Sequence, residues 1–70
     1  MFTFETIDDY ADELFVTKRP NGKRYRLVGK FIGFDGNKYI ALITNNMFMD
    51  KSYLTFDNFV KRYMLDSDNV

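Results

Sequence analysis

The sequence predicts an α+β fold in which a three-stranded antiparallel meander carries a short N-terminal helix and an amphipathic C-terminal helix. Two observations predict the meander: a pair of strong turn sequences, and alternating apolar and polar residues on either side of them. A third predicts the helices, because apolar residues near both ends of the chain recur at the spacing of a helix face. The 70 residues suffice for one small domain, which we assign to residues 1–70 with a frayed tail at 65–70.

The N-terminal helix is predicted from the stretch TIDDYADEL. Ile7, Tyr10, Ala11 and Leu14 lie at i, i+3, i+4 and i+7, which places them on one face of a helix. Thr6 precedes this stripe as a suitable N-cap. The stretch LFVT that follows favours a strand, so we expect the helix to end near Leu14.

Two turn sequences set the predicted strand pairing. RPNGK suits a type I turn followed by a left-handed glycine, which pairs Arg19 with Lys23. FDGN carries Asp-Gly, the signature of a two-residue hairpin, which pairs Phe34 with Asn37. Side chains alternate along a strand, and the two registers agree on one division of the sheet. The predicted core face holds Phe15, Tyr25, Leu27, Gly29, Phe31, Ile40 and Leu42. The predicted opposite face holds Lys18, Arg24, Arg26, Val28, Lys30, Ile32, Tyr39 and Ile43.

The C-terminal helix is predicted over Phe56 to Leu65. Its apolar stripe has five members at helical spacing: Phe56, Phe59, Val60, Tyr63 and Met64. Thr55 is placed to cap the helix, and Leu54 and Phe59 are placed to form a hydrophobic staple.

An alternative architecture is open at this point. The stretches VGKFIGFDGNKYIALIT and SYLTFDNFVKRYML, from Val28 to Leu65, resemble the bent hairpin and short final strand of small SH3-like or Sm-like β-barrels. That resemblance rests on Gly29, Gly33, the Asp-Gly turn and apolar alternation. It implies a single 3₁₀ turn at FDNF and a closing strand at VKRYML in place of the helix.

Composition argues against several classes of activity. The chain has no Cys and no His, which excludes the common zinc patterns, thiol catalysis and His-based triads. Its glycines match neither a dinucleotide fingerprint nor a phosphate loop. We therefore expect no catalysis, no cofactor and no metal. No apolar run approaches the roughly 20 residues of a membrane span, and the acidic N-terminus is unlike a signal peptide. A cytoplasmic protein with no membrane partner is expected.

Charge is segregated along the chain, although ten basic residues balance ten acidic ones. Residues 18–30 hold six of the basic residues and no acidic one, whereas residues 1–16 hold five acidic residues and no basic one. Such blocks either steer a charged partner or attract each other within the domain. The candidate partner-binding residues are Lys18, Arg24, Arg26 and Lys30 with the Tyr39 ring beside them. Phe48, in the MFM stretch at 47–49, is a second candidate anchor because Met and Phe suit partner contacts.

These residues leave three interpretations open: a solvated hairpin face, a protein-binding patch, or a single-strand nucleic-acid platform. We favour a small non-catalytic module that binds a larger protein, with an acidic partner surface as one option. Small, Cys-free, aromatic-rich domains of this composition resemble accessory proteins of bacteriophages and mobile elements. That resemblance implies inhibition or modulation of a host or defence protein, in the host cytoplasm. The alternative is a small RNA- or single-stranded-DNA-binding protein that uses the basic hairpin face. The sequence does not indicate an oligomeric state.

Overall fold

The computed structural model describes residues 2–19, 22–44 and 50–68. The fold is α+β, as predicted, but its antiparallel sheet has five strands rather than three. The strands and the helix are β1 (Leu14–Thr17), β2 (Arg24–Ile32), β3 (Lys38–Thr44), β4 (Lys51–Thr55), α1 (Phe56–Arg62) and β5 (Tyr63–Leu65). Two short 3₁₀ turns lie at Ile7–Tyr10 and Asp66–Asp68. The strand order is β4-β3-β2-β1-β5, so the sheet described here is open, with β4 and β5 at its two edges.

One face of the sheet carries the core. Phe15, Leu27, Ile40 and Leu42 are almost fully buried there, together with Phe59 from α1 and Ile7 from the first 3₁₀ turn. The core membership predicted for the four strand residues and for Phe59 is therefore correct. We call this the core face, and the opposite side the outer face.

The pairing of the second hairpin differs from the prediction by one residue. Gly33 N–H donates to the carbonyl of Asn37 at 2.8 Å, which leaves three residues in the loop rather than two. Gly36 has φ of 81°, the left-handed position that follows a type I turn in three-residue hairpin loops. Phe31 therefore pairs with Tyr39, and Lys30 pairs with Ile40. The predicted pairing of Phe34 with Asn37 is wrong.

A β-bulge in β2 restores the predicted face for the first half of that strand. The register shifts between Leu27 and Gly29, so Val28 has no directly opposite partner in β3. Before the bulge, Leu27 pairs with Leu42 on the core face, whereas after it Gly29 pairs with Ala41. Because an extra residue reverses the alternation, several members of the predicted faces exchange sides. Gly29 and Phe31 move to the outer face, whereas Lys30 and Ile32 move to the side of Ile40.

The first hairpin keeps its faces but shifts its register by two residues. Val16 pairs with Arg24 and Phe15 with Tyr25, instead of the predicted Arg26 and Leu27. A shift of two leaves every side chain on its predicted side. The central residues of this turn, 20 and 21, lie outside the described residues.

The N-terminal helix is shorter than predicted. It forms a single 3₁₀ turn from Ile7 to Tyr10, and Leu14 already belongs to β1. Thr6 does not cap it through its side chain, because its hydroxyl lies 2.7 Å from that of Thr3. Of the predicted stripe, Ile7 alone is fully buried.

The C-terminal helix begins as predicted and ends earlier. The Thr55 hydroxyl accepts a hydrogen bond from Asn58 N–H at 3.3 Å, which confirms the cap. The helix ends at Arg62, and Tyr63 and Met64 form β5 with Leu65, so the predicted extension to Leu65 is wrong. The backbone becomes extended there because it pairs with the free edge of β1, with Leu65 opposite Phe15. The SH3-like alternative anticipated a final strand, but not the helix that precedes it.

The end of the chain packs against the sheet as far as the structure describes it. Asp66–Asp68, within the segment expected to fray, forms a 3₁₀ turn that contacts β1. Within the described ranges, no helix combines the length and apolar character needed to cross a membrane.

Candidate functional site

Three rows of paired residues define the outer face. Opposite residues in an antiparallel sheet project to the same side, so the rows follow from the register. The three rows, each from β2 through β3 to β4, are Phe31–Tyr39–Thr55, Gly29–Ala41–Tyr53 and Arg26–Ile43–Lys51.

An exposed aromatic cluster occupies one end of this face. The rings of Phe31 and Tyr39 stack with centroids 5.2 Å apart and an interplanar angle of 11°. Tyr53 meets Phe31 edge-on at 5.7 Å. Phe31 is 42% exposed and Tyr53 60% exposed, so the cluster presents ring surface to solvent. We call Phe31, Tyr39 and Tyr53 the outer aromatic cluster.

The hairpin loop holds the Tyr39 ring in place. The Tyr39 hydroxyl donates to Asp35 Oδ2 at 2.5 Å, and the Asn37 backbone N–H donates to Asp35 Oδ1 at 3.0 Å. The Tyr39 hydroxyl bond is the largest cause that lowers the pKa of Asp35, and the same bond raises the pKa of Tyr39. The loop that sets the strand register therefore also fixes one ring of the cluster.

Two cations lie at the other end of the outer face, on either side of Ile43. Arg26 and Lys51 are both exposed. Arg26 Nη1 donates to the backbone carbonyl of Asp12 at 3.2 Å, which positions its guanidinium. Among the described residues, neither cation forms a salt bridge with a carboxylate. The outer face thus combines aromatic rings with unneutralised positive charge.

The other predicted basic residues contact the fold itself, each in a different place. Arg24 Nε forms a salt bridge with Asp66 Oδ1 at 3.0 Å. Lys18 Nζ donates to the carbonyl of Val60 at 2.9 Å, at the end of α1. Of the predicted set, Arg24, Arg26 and Tyr39 share the outer face, whereas Phe48 lies outside the described residues.

Lys30 connects the basic block to the acidic N-terminal block. Its Nζ donates to the carbonyl of Phe4 at 2.7 Å and lies 3.1 Å from Asp8 Oδ2. It also lies 4.8 Å from the centroid of the Phe4 ring, within the range of a cation–π interaction. This side chain is only 23% exposed. Attraction between the basic block and the acidic N-terminal block therefore accounts for the position of the Lys30 side chain.

Sequence reasoning missed three residues of this face: Phe31, Lys51 and Tyr53. The two-residue loop predicted from Asp-Gly places Phe31 on the core face, whereas the three-residue loop and the bulge place it on the outer face. Lys51 and Tyr53 lie in a segment for which the sequence analysis predicts no element. The alternation in KSYLT, with Lys51 and Tyr53 on one side, is the signal of a strand that could have identified them.

The outer face is suited to recognition by stacking, apolar contact and charge. No cluster of three or more His, Cys, Asp or Glu side chains suited to a metal occurs in residues 2–19, 22–44 and 50–68. Comparison of the chain with protein-family models, curated proteins and solved structures gives no significant match.

Proposed function

We propose that this protein is a small non-catalytic module that binds a larger protein through the outer face of its sheet. The observation that carries the proposal is the outer aromatic cluster, with two of its three rings 42% and 60% exposed. Exposed contiguous apolar surface is typical of interaction sites, and Tyr and Arg are enriched among the residues that dominate binding energy. Phe31, Tyr53 and Arg26 are the expected main contacts.

The positive charge of the outer face favours a partner with an acidic surface. Arg26 and Lys51 lie on either side of Ile43. Asp35 accepts the Tyr39 hydroxyl and Asp66 pairs with Arg24, so neither carboxylate forms a salt bridge with these two cations. An acidic partner would be steered to this face and oriented on it. Modulation of the partner would then follow from occlusion of its surface, as expected of the accessory proteins of bacteriophages and mobile elements that this composition resembles.

Gly29 offers a matched test of the charge preference. A Cβ added at Gly29 would meet no atom within 4 Å, so a substitution there projects from the outer face without displacing the core. Gly29→Lys should bind the partner at least several-fold more tightly than Gly29→Glu, because a positive charge on this face attracts an acidic partner surface and a negative charge repels it. Equal affinities of the two variants would contradict an acidic partner.

The proposal is tested by affinity capture from a bacterial lysate followed by mass spectrometry, with and without nuclease. The bait proteins are the wild type, the double variant Phe31→Ala/Tyr53→Ala, and Phe34→Ala as a control. Phe34 is fully exposed at the hairpin tip and lies outside the cluster. We expect one protein to be retained by the wild type and the control, lost by the double variant, and unaffected by nuclease. Retention of the same protein by the double variant would contradict the proposal.

Single-stranded nucleic acid is the second candidate ligand of the same face. One observation favours it: three aromatic rings lie beside Arg26 and Lys51, the combination of stacking and positive charge used by single-strand binders. The net charge of zero opposes it, because phosphate binding favours a basic domain. Tight oligonucleotide binding that weakens steeply with salt and is lost in Phe31→Ala/Tyr53→Ala would establish this alternative.

A further inference from the structure

A cleft of about 410 Å³ lies at the end of the sheet away from the outer aromatic cluster. Its walls come from the end of β1, the start of β2 and the junction of α1 with β5. This volume falls within the range of roughly 300–1,000 Å³ that small-molecule sites occupy. It shares no residue with the three rows of the outer face.

Positive charge dominates the lining of this cleft. Of its seven lining residues, four are cations and none is acidic: Lys18, Arg19, Lys61 and Arg62. The fold brings the segment of Lys18 and Arg19 next to that of Lys61 and Arg62, because the Lys18 backbone N–H donates to the carbonyl of Arg62 at 2.8 Å. Like charges that line one cleft repel each other. Within the described part of the chain, none of the four forms a salt bridge with a carboxylate.

Helix chemistry explains only part of this concentration of charge. Lys18 Nζ donates to the carbonyl of Val60, which satisfies a free carbonyl near the end of α1. Lys61 and Arg62 lie in the last helical turn, where cations are favourable. Arg19 follows β1 and has no such role, yet it lines the cleft beside Tyr63. The two guanidinium groups thus approach the cleft from different segments.

Two tyrosines form the remaining wall. The rings of Tyr25 and Tyr63 meet edge to face at 5.5 Å, and Tyr63 also stacks on Phe59 at 5.6 Å. Burial is the main cause that raises the pKa of Tyr63, against the opposing effect of Arg62 and Arg19. A neutral hydroxyl remains a hydrogen-bond donor beside the cations. The Thr17 hydroxyl is buried, and Gly22 lies against it, so a ligand does not reach that atom.

We propose that this cleft binds the terminal phosphate of a nucleotide, either a free mononucleotide or the phosphorylated end of a single strand. Arg19 and Arg62 supply guanidinium donors suited to bidentate contact with phosphate, and Lys18 and Lys61 add charge. A phosphate monoester carries up to two negative charges near neutral pH and offsets the repulsion among the four cations. The volume exceeds that of phosphate alone, so the sugar and base occupy the space beside Tyr25 and Tyr63. This site is independent of the partner proposed for the outer face.

The test is an NMR titration of the ¹⁵N-labelled full chain at physiological salt. The probes are inorganic phosphate, AMP, adenosine, a 5′-phosphorylated tetranucleotide, its 5′-hydroxyl counterpart and a tetraglutamate peptide. We expect AMP to shift the amides of Thr17, Lys18 and Lys61 to Tyr63, adenosine to leave them unchanged, and inorganic phosphate to act at the same amides more weakly. Tighter binding of AMP than of the phosphorylated strand identifies a free nucleotide as the ligand, and the reverse order identifies a strand end.

Matched variants complete the test. Lys61→Gln and Arg62→Gln should each weaken AMP binding by about tenfold, since one charged contact is lost. Lys38→Gln removes the same charge outside the cleft lining, where Lys38 lies 3.9 Å from Glu5, and should leave the affinity within twofold. Equal losses in Lys38→Gln and Lys61→Gln would overturn the proposal, as would tetraglutamate binding as tight as that of AMP. Binding of the 5′-hydroxyl strand as tight as that of both the 5′-phosphorylated strand and AMP would also overturn it, because the terminal phosphate would then contribute nothing.

Discussion

The two faces of the sheet use aromatic residues in opposite ways. On the core face, Phe15 and Phe59 pack edge to face at 5.0 Å and are fully buried. On the outer face, Phe31 and Tyr39 stack at 5.2 Å, yet Phe31 keeps 42% of its surface exposed. The ring spacings are similar on the two faces, and the faces differ in what covers the rings.

That difference has a structural cause. Helix α1 and the first 3₁₀ turn cover the core face through Phe59 and Ile7. The C-terminal 3₁₀ turn contacts β1, and Asp66 reaches Arg24 on the outer face. This cover leaves Phe31 and Tyr53 exposed on β2 and β4. Burial therefore assigns the core rings to stability, whereas exposure makes the outer rings available for the recognition proposed above.

Replacement of Phe59 should have the largest effect on stability. Its ring contacts Phe15, Phe56 and Tyr63 and has no exposed surface. Phe59→Ala should lower the free energy of unfolding by about 3–5 kcal/mol, a large part of what a domain of this size has. Urea denaturation measures it, with Phe34→Ala as the matched change at a fully exposed ring. A midpoint for Phe59→Ala equal to that of Phe34→Ala would show that Phe59 is not in the core.

Replacement of Tyr53 should separate binding from stability. Because the ring is 60% exposed, we expect Tyr53→Ala to lower the free energy of unfolding by no more than about 1 kcal/mol. The same change should weaken partner binding by about 2 kcal/mol or more, the loss typical of a dominant contact. Calorimetric titration of the captured partner and urea denaturation measure the two effects. A loss of stability larger than the loss of binding would contradict the separation of roles.

Substitution of Gly36 should test the loop that determines the register. Its φ of 81° is unfavourable for residues with a Cβ, although a Cβ there would meet no neighbouring atom. Gly36→Ala should therefore cost about 1–2 kcal/mol through backbone strain alone. Gly29→Ala is the control, since its φ is not positive and a Cβ there also enters open space. Equal stability of the two variants would argue against a left-handed residue at Gly36.

The pair of Asp35 and Tyr39 should show the smallest effect, visible in pH titration. The pKa of Asp35 is lowered, so its contribution to stability is present above the ordinary Asp pKa and is lost as pH falls through the lowered value. The pKa of Tyr39 is raised, so its contribution is present below the ordinary Tyr pKa and is lost as pH rises through the raised value. Tyr39→Phe should move the pKa of Asp35 back toward its ordinary value, as measured from the carboxyl ¹³C shift. An Asp35 pKa unchanged by Tyr39→Phe would exclude the hydroxyl as its main cause.

Local patterns in the sequence were sufficient for the core and for the start of α1. Alternation placed Phe15, Leu27, Ile40 and Leu42 correctly, and helical spacing with the Thr55 cap placed Phe59. The later part of the predicted helix failed for a non-local reason. Residues 63–65 pair with the free edge of β1, more than 45 residues earlier in the chain, and helical spacing carries no information about such a partner.

The candidate site was harder to predict than the core because two compensating irregularities define it. The loop has three residues rather than two, which reverses the face of every residue from Gly29 to Ile32 relative to β3. The bulge at Val28 then restores Tyr25 and Leu27 to the core. For the first half of β2, the faces expected from apolar alternation are the same whether both irregularities are present or both are absent. The sides of the residues from Gly29 to Ile32, Phe31 and Lys30 among them, distinguish the two cases.

The face of the sheet on which the Phe31 ring lies is therefore the most direct test of the outer aromatic cluster. A ¹³C-edited NOE spectrum of the wild type should show cross-peaks from the Phe31 ring to Tyr39 and Tyr53, whose ring centroids lie 5.2 Å and 5.7 Å away. It should show none from Phe31 to Phe59 or Phe15. Cross-peaks from the Phe31 ring to the Ile40 side chain and Phe59, without those to Tyr39 and Tyr53, would place Phe31 in the core and remove the outer aromatic cluster.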